Sequence, residues 1–320
     1  MRAAWLLILG TSALPVSAEV FLLAQPIACR LGEDCFIQQY VDHAPGAAVT
    51  DFTCNGLSYD GHTGTDFALP TLAAMQAGVA VLAAAPGTVT ALRDGMPDTG
   101  LTPETAAGIE GRDCGNGVVI QHEDGWQTQY CHLKQGSVIV REGQAVAAGD
   151  RLGLVGLSGN TEFPHVHLSL RRNGQAVDPF DPDGQITCGA PDPVTLWDTP
   201  IPYAPGGLLG AGFASAVPDF AAVKAGTAAE VILRDAPALV VWGHAFGGRV
   251  GDQMRITLSG PEGPITDHSD RLDKDQAQFL RAAGRRMRAG GWPAGTYRAL
   301  ITLSRDGQMI DTQMITMQIE

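Results

Sequence analysis

Beyond its N-terminal segment the chain lacks any uninterrupted apolar run of roughly 18 residues, the length a membrane-spanning helix needs, so no transmembrane segment is expected in the mature protein. It is also short of positive charge. Lysine and arginine number 21 against 34 aspartates and glutamates, for a formal net charge of -13, and no basic stripe gathers the cations. Phosphate backbones and anionic bilayers attract proteins of the opposite sign, so neither nucleic acid nor an anionic membrane surface is an expected partner. A third absence concerns the six cysteines, which include no C-x2-C pair; the commonest signature of a cysteine-based structural zinc site is therefore missing.

What is present begins with an export signal. Arg2 precedes the apolar run Trp5-Leu6-Leu7-Ile8-Leu9, and Val16-Ser17-Ala18 closes the segment as a small-residue cleavage site. We expect a signal peptide at residues 1–18 and an exported protein, periplasmic or extracellular; an uncleaved N-terminal anchor is the alternative. In an oxidising compartment an even number of cysteines favours disulfides. Cys29 and Cys35 flank a short polar loop, Cys114 and Cys131 would join the ends of a hairpin, and Cys54 with Cys188 follows by elimination.

At 320 residues the chain is long enough for two domains. From Val79 to Leu170 short apolar runs alternate with glycine turns: 79–83, 86–91, 117–122, 126–130 and 153–156. Such punctuation indicates strands, with residues 94–112 as a long excursion. Between Cys188 and Gly210 prolines and glycines crowd together, which marks a boundary. Beyond it, 229–233, 239–242, 254–258, 296–303 and 309–318 read as strands, with a turn at Arg305-Asp306-Gly307, while 274–288 fits helix or strand. The expected architecture is all-β: a first β domain over 19–189, a linker over 190–210 and a smaller β-sandwich-like domain over 211–320. Trp242, Trp292 and Tyr297 are expected in the sandwich core.

The residues able to carry chemistry lie in the first region. His165 and His167 are two apart in an alternating stretch, which aims both imidazoles at one face. That pair alone is equally an ordinary strand feature. Gly61-His62-Thr63-Gly64-Thr65-Asp66 adds a histidine and a carboxylate four apart; an ideal strand would separate them by roughly 13 Å, so the chain must bend, and Gly64 permits it. Tyr130-Cys131-His132-Leu133 supplies a further histidine.

In order and kind, His62-x-x-x-Asp66, Tyr130-Cys131-His132-Leu133 and His165-x-His167 resemble the motifs of the lysostaphin and LytM-type zinc metallopeptidases, family M23. The segments 115–122, 143–150 and 156–160 are similar to that family's intervening strand and turns, so the resemblance spans roughly residues 60–179. It implies an antiparallel β-sheet groove, one zinc ion per chain held by His62, Asp66 and His167, and catalytic roles for His132 and His165. Two imidazoles and one carboxylate would leave a fourth position for water, as catalytic zinc requires. Tyr59 could reach a developing oxyanion, although tyrosines in strands usually pack. His43, His122, His244 and His268 are expected to be surface or packed histidines, and Cys131 structural.

The resemblance thus implies an exported zinc endopeptidase acting on peptidoglycan peptides. A non-catalytic module that binds or regulates cell-wall hydrolases is the alternative; a phosphocarrier using facing histidines without metal is weakened by the export signal. A protein partner could dock through the C-terminal domain, for which only fold-level analogy speaks.

Overall fold

The short β-branched runs between glycine turns fold as strands. In the computed structural model, which describes residues 21–190, 192–287 and 289–320, they form β1 (Phe36–Gln39), β2 (Thr65–Ala68), β3 (Ala80–Leu82), β4 (Gly87–Arg93), β5 (Asn116–Gln121), β6 (Trp126–Leu133), β7 (Ala145–Val146), β8 (Arg151–Leu154), β9 (His165–Arg172) and β10 (Gln175–Val177). Two short helices, α1 (Leu72–Ala77) and α2 (Ala106–Ile109), interrupt them, the second within the expected excursion after β4. The expected signal peptide, residues 1–18, lies outside the described residues.

The main sheet runs β1-β2-β9-β6-β5-β4-β7, with β10 added to β9, and its pairings are antiparallel. Strand β9 shows how the sequence sets its two faces. Val166, Leu168 and Leu170 point into a core shared with Phe67, Val118, Ile120 and Tyr130, and each such burial contributes about 1.5–3 kcal/mol. His165, His167 and Ser169 consequently share the opposite face. A one-residue slip of β9 would bury the histidines and expose the leucines, so the same apolar pattern that builds the core fixes where the imidazoles point.

All three expected disulfides are present: Cys29–Cys35, Cys54–Cys188 and Cys114–Cys131.

The second β domain comprises β11 (Gly207–Ala214), α3 (Phe220–Ala225), β12 (Ala238–Gly248), β13 (Gln253–Gly260), β14 (Gly263–Arg271), β15 (Gln276–Arg286), β16 (Gly295–Arg305) and β17 (Gln308–Ile319). A three-stranded sheet, β11-β12-β15, and a four-stranded sheet, β14-β13-β16-β17, enclose a core that includes Val241, Met254, Ile256, Phe279, Trp292, Tyr297 and Ile301. The ambiguous 274–288 segment thus contains a strand: pairing along β12 overrides the helix propensity of its alanines and arginines. Asp306 and Gly307, both with positive φ, make the expected turn between β16 and β17.

Two expectations are corrected. Residues 229–233 form no strand; Ile232 is buried while Val231 and Leu233 are exposed, so the alternation is real, but a bond from the Glu230 N–H to the Phe213 carbonyl does not extend into a ladder. Trp242 is buried outside the sandwich, against α3 with Ala214, Val223 and Ala228. Strand β12 is covered on both faces, which its nearly continuous apolar run anticipates.

The Pro/Gly-rich stretch 190–210 serves both halves. Leu196 and Trp197 are buried in the first core, Trp197 bridges to Leu23, and Gly207 already opens β11. Strand β1, the edge of the main sheet, is covered by the second domain: Phe36 packs on Phe246 at 4.5 Å between ring centroids, Gln38 donates to the Ala277 carbonyl at 3.1 Å, and Gln278 donates to Gln38 Oε1 at 3.0 Å.

Candidate metal centre and groove

Five residues from four segments converge on the face of the sheet left free by the core. Asp66 sits in β2 directly across from His167 in β9, and His167 pairs on its other side with Cys131 of β6, next to His132. His62 arrives from the turn before β2. The bend there depends on space: a Cβ at Gly64 would lie 2.5 Å from His167 Nε2 and 2.7 Å from the Leu168 carbonyl oxygen, so only glycine lets the backbone pass this close to the imidazole.

His62 Nδ1 donates to the Tyr40 carbonyl at 2.6 Å. In the neutral ring Nε2 is then a bare lone pair. It faces Asp66 Oδ1 at 3.2 Å and His167 Nδ1 at 3.1 Å, and Asp66 Oδ1 lies 2.8 Å from His167 Nδ1. On its far side His167 Nε2 is engaged by Ser169 Oγ at 2.9 Å. Three electron-rich atoms therefore crowd together in a largely buried site, an arrangement that a shared cation relieves. Zinc–ligand bonds near 2.0–2.2 Å with tetrahedral angles place neighbouring donors roughly 3.3 Å apart. The donor set and its spacing fit one zinc ion, and the partners on the outer ring nitrogens are the kind that orient metal-binding histidines.

Charge distribution agrees with that chemistry. Burial alone would raise the Asp66 carboxyl, but His62 and His165 beside it, with His167 against it, hold it well below the usual carboxylate range. Burial opposes charging of His62, but Asp66 beside it outweighs burial and raises its affinity for a proton.

His132 and His165 stand beside this cluster, their rings 4.6 Å apart. His132 Nδ1 donates to the Ser158 carbonyl at 2.8 Å, and His165 Nδ1 to the Phe163 carbonyl at 2.9 Å with Thr161 Oγ1 at 3.1 Å. His165 Nε2 faces Asp66 Oδ1 at 3.5 Å. Burial, joined by His165 and His167, pushes His132 well below an ordinary histidine, and burial lowers His165 against the pull of Asp66. Both rings thus stay neutral near pH 7. His132 also has φ of 64°, a conformation that costs a non-glycine residue about 1–3 kcal/mol and collects at functional sites. It turns the end of β6 so that the imidazole enters the groove, and the Cys114–Cys131 disulfide sits immediately beside it.

Asp66, His132 and His165 line a groove of about 660 Å³. Tyr59 stands at its rim, 49% exposed, its ring 4.5 Å from His62; burial, Asp66 and Asp113 push the phenol upward, so it remains a donor. Leu101 of the 94–112 excursion also reaches the groove, an excursion anchored by Asp94 to the Gly136 and Val138 N–H groups.

The other histidines lie elsewhere. His122 is buried between the Pro86 carbonyl and Thr128, His244 is buried on Gln278, His43 pairs with Asp178 and His268 is exposed. Cys131 is tied to Cys114. Sequence reasoning missed Ser169, which β9 alternation could have placed beside His167, and the carbonyls of Tyr40, Ser158 and Phe163, for which no side-chain signal exists. It also missed the second-domain residues that line the groove, Phe220, Lys224 and 274–278.

Known proteins align with this region. The chain is 34% identical over 116 residues to peptidoglycan DD-endopeptidase ShyA of Vibrio cholerae, which covers 36% of the chain and 21% of that relative. Over 166 residues it is 27% identical to murein hydrolase activator NlpD of Salmonella dublin, covering 52% of the chain and 37% of the relative. The chain thus spans about a fifth of the first relative and under two fifths of the second. Among solved structures, the catalytic domain of the prophage-encoded M23 protein EnpA from Enterococcus faecalis shares 27% identity at a TM-score of 0.33, over 51% of this chain and 98% of that one. Residues 60–179 match Peptidase family M23, and with His62, Asp66, His132, His165 and His167 all inside that span, the chain carries an M23 peptidase domain.

Proposed function

We propose that the chain is an exported zinc metalloendopeptidase that hydrolyses peptide bonds of peptidoglycan. The observation that carries this reading is the convergence of His62, Asp66 and His167 with donor atoms 2.8 to 3.2 Å apart, beside two neutral histidines on an open groove. Held by those three residues, zinc would supply Lewis acidity toward water and the scissile carbonyl. A closed structural site would use four protein ligands; this cluster offers three.

The remaining chemistry belongs to the chain. With Nδ1 fixed by a carbonyl, His132 and His165 each present Nε2 to the groove. One accepts a proton from the attacking water, and a protonated imidazole then donates to the leaving amine. The protonated Tyr59 phenol at the rim is placed to donate to negative charge developing on the carbonyl oxygen. The covering of β1 and the disulfides hold these groups in place before substrate arrives, which is what electrostatic catalysis requires.

Peptidoglycan as substrate is supported by the DD-endopeptidase relative. Export is supported by the N-terminal sequence and by three disulfides, which persist in oxidising compartments; among the described residues no helix is long and apolar enough to cross a membrane. The activator relative favours a second reading, a non-catalytic module that regulates other cell-wall hydrolases. The presence of all five site residues weighs against it. Incubating the full chain with cross-linked stem peptides, alone and with a separate hydrolase, tests the choice: cleavage by the chain alone supports the enzyme, and stimulation of the hydrolase without cleavage supports the regulator.

A further inference from the structure

The groove has a second wall, built by the C-terminal domain. Lys224 of α3 and Lys274, just before β15, line the same cavity as Asp66, His132 and His165. The chain contains only three lysines, Lys134, Lys224 and Lys274, in a protein of net charge -13; two of the three therefore face one groove. Lys134 is engaged elsewhere, with Gln76. Among the described residues, neither groove lysine has a carboxylate within ion-pair distance.

This wall is fixed. Gln38 and Gln278 tie the start of β15 to the edge of the main sheet. Helix α3 sits close on α1: a Cβ at Gly226 would come within 2.9 Å of the Ala73 side chain. The Lys224 ammonium lies over the Phe220 ring at 5.4 Å, which steadies its stem and leaves its hydrogen-bond donors free. Two carboxylates besides Asp66 line the groove. Asp275 accepts the Val250 N–H at 2.7 Å, and Glu162 lies on the catalytic side beside Phe163. The C-terminal wall thus carries two ammonium groups and one carboxylate, and the facing wall carries the carboxylates of Asp66 and Glu162.

We propose that Lys224 and Lys274 form a subsite for a carboxylate of the peptide lying across the histidines, so that the C-terminal domain selects anionic peptides. An ammonium is a point charge on a flexible stem and accepts a carboxylate in many orientations. In a groove walled by protein, that attraction is screened less than on an open surface, and it locally offsets the repulsion an acidic protein exerts on an anionic ligand. The proposal deepens the hydrolase reading and rests on it for the identity of the bound chain.

The test uses the full zinc-loaded chain and one cross-linked stem peptide in two forms, with free carboxylates and with all of them amidated. Binding is measured by calorimetry in a His132→Ala background and hydrolysis in the parent background. Replacing both residues, Lys224→Ala with Lys274→Ala, should weaken the free-carboxylate peptide about tenfold, raise its KM and leave kcat and the amidated peptide unchanged. Lys224→Arg with Lys274→Arg should restore the preference. Equal affinity of the parent for both peptides, or an equal loss on both in the alanine variant, would overturn the subsite. Charge-selective binding by a protein that cleaves neither peptide would uphold the subsite and overturn the hydrolase assignment.

Discussion

His62 Nε2 and His167 Nδ1 face one another at 3.1 Å across 105 positions of sequence. Both rings are held from behind, His62 by the Tyr40 carbonyl and His167 by Ser169, and Asp66 closes the triangle. Zinc binding at this triangle would depend on that relationship, which separates two kinds of variant.

Asp66→Ala and His167→Ala each remove one donor from the triangle and should lower bound zinc well below one per chain. His132→Ala removes no donor and should keep zinc while losing peptide hydrolysis by at least about 100-fold, the usual scale for general acid–base groups. Metal analysis alongside turnover separates them. Stoichiometric zinc in both ligand variants, or full turnover in the His132 variant, contradicts the assignment.

Gly64→Ala probes the packing that brings the two halves of the site together. Its methyl would press into the His167 ring and the Leu168 carbonyl, so zinc affinity should fall by about 10- to 100-fold, as when a group orienting a ligand is disturbed. Competition with a chelator of known strength reads this directly. Unchanged affinity would mean that the close approach is not needed.

The Cys54–Cys188 bridge closes a sequence separation of 134 residues. Restricting so long a loop in the unfolded chain stabilises the fold by about 2–5 kcal/mol. The double change Cys54→Ala with Cys188→Ala should lower the denaturant midpoint accordingly, and an unchanged midpoint contradicts this contribution.

His43 provides a pH signature away from the groove. Burial opposes its charge, but Asp178 at 2.7 Å, with Asp181 and Asp42, outweighs that and raises its pKa above the ordinary value. The folded state therefore holds this proton more tightly than the unfolded one. The resulting stabilisation is full below the unfolded pKa of about 6.5 and disappears as pH rises through the higher folded value. The stability difference between parent and His43→Gln should accordingly be larger at pH about 5.5 than at pH about 9. Equal differences at both would count against it.

The sequence made the β character legible through local pattern, such as the alternation of β9, and motif order singled out His62, Asp66, His132, His165 and His167, which the fold brings together as candidate site residues. The disulfides were legible from loop spacing and elimination. What stayed hidden depends on neighbours that local sequence does not specify. Residues 229–233 alternate like a strand but find no ladder. Trp242 faces α3 because β12 is covered twice. Lys224 and Lys274 share a groove with His132 and His165 only because Gln38, Phe36 and Phe246 join the second domain to the edge of the first sheet, a contact between segments some two hundred residues apart that no motif announces.

The most direct test of the central claim is digestion of purified peptidoglycan by the chain without residues 1–18, with chelator, without it, and with zinc restored, reading the new amine ends. New amines that vanish with chelator and return with zinc are the predicted result. Cleavage that persists after zinc has been removed from the protein, or no cleavage by the zinc-loaded chain, would contradict it.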